Sequence, residues 1–175
     1  MSPLEEVPAP RVAPALPVPS FPELVAQTSK DLYRLATRLT GNRADADDVL
    51  QTTYLRAFEA LRSGGFRGEC RLETWLYRIV MNVAFDARRA QQRRARLAER
   101  PPDEVAPEQS EAAVGLAELR GVLASLPEDQ RAALVLRELH GLSGREAAEV
   151  LERSEGAVEQ LLVRARATLR TRFEP

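Results

Sequence analysis

Apolar residues in this chain recur at three- and four-residue steps, and no stretch keeps the two-residue alternation of a half-buried strand. That periodicity leaves helices as the building material. From Phe21 onward, Leu24, Thr28, Leu32, Leu35 and Leu39 share one helical face, and Gly41 is a natural stop. The next helix opens in "NRADADDVLQ", with Asn42 as N-cap and acids in the first turn, where the macrodipole favours them. Its core face is Ala46, Val49, Leu50, Thr53, Ala57 and Leu61, and Ser63-Gly64-Gly65 ends it.

A third helix is expected from about Leu72 into an arginine-rich end at residues 88 to 96. It differs from its neighbours in carrying two apolar stripes. Leu72, Leu76, Ile79, Val80 and Val83 form an ordinary core face. On the far side Tyr77, Met81 and Phe85 recur four apart, beside Arg78, Asn82, Arg88 and Arg89. A surface helix normally keeps only charge there. The second stripe must cover another helix or meet a ligand with flat apolar faces.

Two proline-rich stretches set the limits of the helical units. Residues 1 to 22 hold seven of the twelve prolines, so 1–20 is expected to be a disordered tail. "PPDEVAPEQSE", residues 101 to 111, has three prolines, four acids and no base. It marks a flexible acidic linker over 97–111, and its proline-rich part extended could span roughly 35 Å. The expectation is all-α: one helical domain over 21–96 and a second over 112–175.

In the second unit, Val114, Leu119, Val122, Leu123 and Leu126 suggest one helix, and Pro127 stands where the first residue of the next is expected. That helix runs through "EDQRAALVLREL" to Gly141. Ser143 and Glu146 then have capping-box spacing, a three-residue break follows, and Ser154 N-caps a last helix to about Phe173. A capped short helix, a tight turn and a longer helix describe a helix-turn-helix. Small residues Ala147, Ala148, Gly156 and Ala157 would let the pair approach, with Val150, Val158, Leu161 and Leu162 buried. Glu155, Glu159, Gln160, Val163 and Arg164 would face outward, where a recognition helix meets base edges. Gln can pair with adenine and Glu can accept from cytosine, each good contact discriminating by about 1–3 kcal/mol.

Composition narrows the function. Net charge is −1, so any attraction to nucleic acid is local. Cys70 is the only cysteine and His140 the only histidine, which excludes a disulfide within the chain and a four-ligand zinc site. No nucleophile–base pair, phosphate-binding glycine loop or metal cluster stands out, so neither an enzyme nor a cofactor is expected. No apolar run reaches a membrane span, and Glu5 and Glu6 precede no signal-like segment, so the expected setting is cytoplasmic without membrane insertion.

Three stretches now point to one family. They are "RLTGNRADADDVLQTTYLRAFEAL", "FRGECRLETWLYRIVMNVAFDARR" and "LASLPEDQRAALVLRELHGLSGREAAEVLERSEGAVEQLLVRARATLR". In this order, around a short acidic linker, they resemble the two conserved domains of an extracytoplasmic-function sigma factor of bacterial RNA polymerase, over about residues 21 to 173. The resemblance implies core polymerase and promoter DNA as partners, and family members are commonly restrained by an anti-sigma factor. It implies that Asp45, Asp47, Asp48 and Gln51 dock on the clamp of the polymerase largest subunit. It implies a base-capturing loop from Phe66 to Thr74 with Asn82, and contacts of Phe66, Arg67, Trp75, Tyr77, Arg78, Arg88 and Arg89 with the −10 element. For the −35 element it implies Arg145, Ser154, Ala157, Glu159, Gln160, Val163, Arg164 and Arg166.

Two departures from the family pattern bear on specificity. Where Gly-Thr-Val-Lys-Ser-Arg is common, this chain has Gly156-Ala157-Val158-Glu159-Gln160-Leu161, and Met81 replaces the usual base before the Asn. The alternative reading is a stand-alone helix-turn-helix regulator whose first domain senses a ligand or dimerises. The "DADD…Q" and "TWLYRI…N" stretches have no purpose in such a protein.

Overall fold

The computed structural model describes residues 19–97 and 121–173. Most of the expected tail, most of the expected linker and the first part of the helix near Ala112 lie outside them. Among the described residues the chain is helical without strands. The first domain consists of α1 (Phe21–Thr40), α2 (Arg43–Arg62) and α3 (Leu72–Leu97). A helical stretch over 121–125 leads into α4 (Glu128–Leu134), which widens into a π-turn at Val135–Leu139. The helix-turn-helix pair is α5 (Gly144–Leu151) and α6 (Glu155–Phe173).

The expected faces of α1 and α2 are the ones that meet. Leu24, Leu32, Leu35 and Leu39 are buried, as are Ala46, Val49 and Ala57, with Leu50 and Leu61 half-covered at the edge. Thr28 and Thr53 sit on these faces because each hydroxyl bonds a carbonyl one turn back, Leu24 at 2.7 Å and Val49 at 2.7 Å. The Thr28 hydroxyl also reaches the Tyr54 hydroxyl at 2.9 Å, tying α1 to α2. From α3, Leu76 and Val80 complete the core with no exposed surface. Truncating a leucine so placed costs about 2–5 kcal/mol.

The boundaries follow their caps. Asn42 Oδ1 accepts the Asp45 N–H at 2.7 Å, and Gly41 ends α1 with φ 86°. Ser143 and Glu146 form the expected capping box, and Ser154 Oγ accepts the Ala157 N–H at 3.2 Å. Three details differ from the sequence expectation. Pro127 is the N-cap of α4 and not its first residue, because its extended ψ of 149° turns the chain into the helix. The helix through "VLREL" does not stay regular: His140 N–H donates to Val135 O, five residues back, at 2.8 Å. Gly156 is exposed and a Cβ there would meet nothing, so it is the alanines Ala147 and Ala148 that carry the close approach of α5 to α6.

The second stripe of α3 is accounted for by packing. Met81 and Phe85 are buried and Tyr77 is half-buried, with α3 lying against α5 of the second domain. The second domain faces the stripe, with Tyr77 against His140 and with Met81 and Phe85 beside the cavity between the domains.

Candidate nucleic-acid interface

The loop between α2 and α3 turns at Gly64 and Gly68, whose φ values of 73° and 70° are left-handed. It carries Phe66 back over the start of α3, where the Phe66 and Trp75 rings lie 5.1 Å apart at a tilt of 47°. Beneath them opens a cavity of about 650 Å³. Its first-domain wall brings together Phe66, Arg67, Trp75, Arg78, Asn82 and Arg89, six of the eight residues expected at the −10 element. Its other wall is the second domain, with Glu128, Asp129, Glu152 and Arg153. Asn82 is exposed and bonds to no described group, as a residue at a pocket rim would be. Two aromatic rings, an amide and guanidinium groups are what stacking on a base, pairing with its edge and neutralising its phosphates require.

The remaining two −10 candidates lie outside the cavity. Arg88 donates to Ala124 O at 2.9 Å. Tyr77 faces His140, with the rings edge-on at 5.2 Å and the hydroxyl 3.2 Å from Nε2. Arg38 Nη1 stands 3.4 Å from the other ring nitrogen of His140. A guanidinium can only donate, so Nδ1 accepts and Nε2 carries the proton toward Tyr77. Burial, and then the Arg38 charge, hold the His140 pKa below its ordinary value. Burial raises that of Tyr77.

The arginines of α3 are engaged by the second domain. Arg78 donates to Glu149 O through Nε at 3.1 Å and Nη2 at 2.6 Å, and its Nη1 is 3.1 Å from the Glu152 carboxylate. Its side chain is only 27% exposed. Arg89 bonds Glu128 at 3.0 Å and, within its own helix, Asp86 at 3.0 Å. Glu152 is the only non-glycine residue with positive φ among those described, at 53°. Arg153 N–H bonds Ala148 O at 3.0 Å and Glu152 N–H bonds Glu149 O at 3.3 Å, a Schellman end in which glycine is the usual occupant of position 152. The αL conformation costs a residue with a Cβ about 1–2 kcal/mol.

On α6 the outward set is as expected: Glu155, Glu159, Gln160, Val163 and Arg164 are exposed, while Val158 and Leu162 are buried and Leu161 half-buried. Val163, at 57% exposure, offers an apolar surface beside them. Not every expected −35 contact is free, however. Ser154 is used as the cap, and Arg145 pairs with Glu149 at 3.5 Å. Arg166 is held by Glu138 at 2.5 Å and approaches Glu159 at 3.9 Å. Ala157 is half-buried at the first turn.

On α2, Asp47, Asp48 and Gln51 project outward, whereas the Asp45 carboxylate accepts the Asn42 side-chain amide at 2.6 Å. Sequence reasoning passed over two neighbours on this helix, Leu55 at 63% exposure and Phe58 at 39%. A large apolar side chain left outside a helix's core stripe was the available signal. It also passed over Glu152, for which the signal was a glycine-type position after the last helical residue. His140 gave none.

Among the described residues the chain forms two helical domains, one with an aromatic loop over a cavity and the other a helix-turn-helix, an architecture of proteins that engage DNA. The model described as "Sigma-70 region 2" matches residues 24–94, and "Sigma-70, region 4" matches residues 116–169. The ECF RNA polymerase sigma factor SigE of Mycolicibacterium smegmatis is 38% identical over 164 residues, covering 87% of this chain and 61% of that protein. The ECF RNA polymerase sigma-E factor of Haemophilus influenzae is 31% identical over 175 residues, covering 89% of this chain and 88% of that protein. Among solved structures, CnrH in complex with the cytosolic domain of CnrY superposes with a TM-score of 0.65 at 31% identity, covering 86% of this chain and 85% of that one. The chain belongs to the extracytoplasmic-function sigma factors of the sigma-70 family. No helix among the described residues is long and apolar enough to cross a membrane.

Proposed function

We propose that the chain is a promoter-specificity subunit that brings core RNA polymerase to its start sites and helps melt the DNA there. The first domain, residues 21–96, docks on polymerase through the exposed side of α2, where Asp47, Asp48 and Gln51 flank Leu55. Its loop and α3 take the −10 element. Phe66 and Trp75 stack on a displaced base, Asn82 bonds its edge, and Arg67, Arg78, Arg88 and Arg89 neutralise phosphates. Stacking at about 1–3 kcal/mol per base offsets the few kcal/mol of unpairing. The second domain, residues 112–175, sets α6 into the −35 major groove, with Gln160, Val163 and Arg164 as readers. The reaction itself is the polymerase's, and the chain needs no catalytic group of its own.

The observation that carries this reading is the convergence of six expected −10 residues on one cavity, in the domain whose second helix also presents the exposed acids Asp47 and Asp48. CnrH was solved with the cytosolic domain of CnrY, and a protein partner that restrains the two domains is proposed here on that likeness. Replacing Asp48 by Arg and Gln51 by Ala together tests the docking face. Association with core polymerase should be lost while helicity is kept, since both side chains lie away from the buried face. Undiminished association would overturn the assignment.

A further inference from the structure

The contacts between the two domains have a polarity. Three ion pairs cross between them among the described residues: Arg71 with Glu146, Arg78 with Glu152, and Arg89 with Glu128. In each the arginine comes from α3 or the loop before it and the acid from the second domain. Arg88 adds a fourth guanidinium, on Ala124 O. Arg78 goes furthest. It bonds the Glu149 carbonyl in the last turn of α5, at the negative end of that helix's dipole, while the Glu152 carboxylate takes its remaining nitrogen. The second domain thus presents to α3 a row of carboxylates and carbonyls where a nucleic acid would present phosphates.

Glu152 is placed for this at a cost. It occupies a left-handed position that glycine would fill without strain. Strain kept at one residue marks a position held for something other than stability. The side chain glycine would lack is the one that reaches Arg78.

We propose that the acidic edge of the helix-turn-helix domain, latched by Glu152 on Arg78, docks on the basic face of α3 as a stand-in for DNA and keeps the free chain closed. The inference rests on the reading of α3 as the −10 face. Opening exchanges three partly exposed ion pairs for three phosphate contacts, so salt, polymerase docking and DNA all shift the chain toward the open form.

The test uses the full chain and its Glu152→Gly and Glu128→Gln/Glu152→Gly variants. Glycine at 152 suits the backbone, so folding is not endangered, and Glu152→Gln separates the loss of charge from the relief of strain. The first readout is the radius of gyration by solution X-ray scattering at low salt. The second is affinity for a labelled mixed-sequence single strand of about a dozen nucleotides. The expected result is an expanded double variant that binds the strand about tenfold more tightly than the parent, with Glu152→Gln in between. A double variant as compact as the parent overturns the latch. An expanded double variant with unchanged strand affinity overturns the masking and with it the assignment of α3 to DNA.

Discussion

Arg131 is the residue whose removal the second domain should feel most. It is 2% exposed, and its guanidinium gathers the end of the helical stretch over 121–125: Nε donates to Leu123 O at 2.5 Å, and Nη2 to Leu126 O at 2.8 Å and Ala124 O at 3.2 Å. Burial, then the neighbouring Arg88, push its pKa down to about 10, so it stays cationic at neutral pH. Methionine keeps most of the volume and removes the charge. Of the three carbonyls, Ala124 O keeps Arg88 and Leu123 O keeps the Leu126 N–H at 3.3 Å. Leu126 O is left alone. Hydrogen bonds from a charged donor are worth about 1.5–3 kcal/mol each. Against them stands the recovered cost of burying a charge whose Nη1 has no partner. With one carbonyl orphaned and two left with the donors they already have, the net loss for Arg131→Met is about 2–3 kcal/mol. In a domain of this size that lowers the melting temperature by about 10 °C or more. Circular dichroism melts of parent and variant measure it. A variant melting within about 2 °C of the parent would show that the buried charge cancels its own bonds, and the reasoning would fail.

Asn82→Ala should leave the melting temperature in place, because the residue is exposed. It should weaken open-complex formation by about 1–3 kcal/mol in permanganate footprinting, and a lowered melt with normal opening would make Asn82 structural. His140 is the only histidine, so the interval between about pH 5 and 6.5 isolates it from the carboxylates. Its folded pKa is depressed, so its contribution is full above the unfolded value of about 6.5 and is lost as pH falls through the folded one. Stability should therefore fall over that interval in the parent but not in His140→Gln, and parallel pH profiles would exclude the mechanism. Gly41→Ala should cost about 1–2 kcal/mol in urea unfolding, since φ is 86° there; an unchanged midpoint would mean the α1–α2 turn relaxes freely.

The elements were legible where short-range chemistry decides them. Gly41, Asn42, the Ser143–Glu146 box and Ser154 are local signals, and each lies where the helices begin or end. The buried faces of α1, α2 and α6 follow directly from helical spacing. What could not be read depends on partners distant in the chain. The two stripes of α3 announced a second contact without saying with what, since its partner α5 lies about seventy residues on. His140 meets Tyr77 only because the π-turn adds a residue to its helix. Arg166, expected at the −35 element, is claimed by Glu138, which no spacing rule connects to it. Asp45 differs from the other docking acids, because its carboxylate accepts from the Asn42 amide three residues earlier, a local cap bond.

The central claim is that the chain confers promoter choice on a polymerase that lacks it. Run-off transcription on genomic fragments, with core RNA polymerase alone and with the purified chain added, tests this most directly. The account predicts discrete transcripts that appear only with the chain, begin downstream of shared −35 and −10 sequences, and vanish with the Asp48→Arg/Gln51→Ala variant. An unchanged transcript pattern, from a chain that binds duplex DNA tightly and specifically by itself at physiological salt, would contradict it and leave a stand-alone regulator.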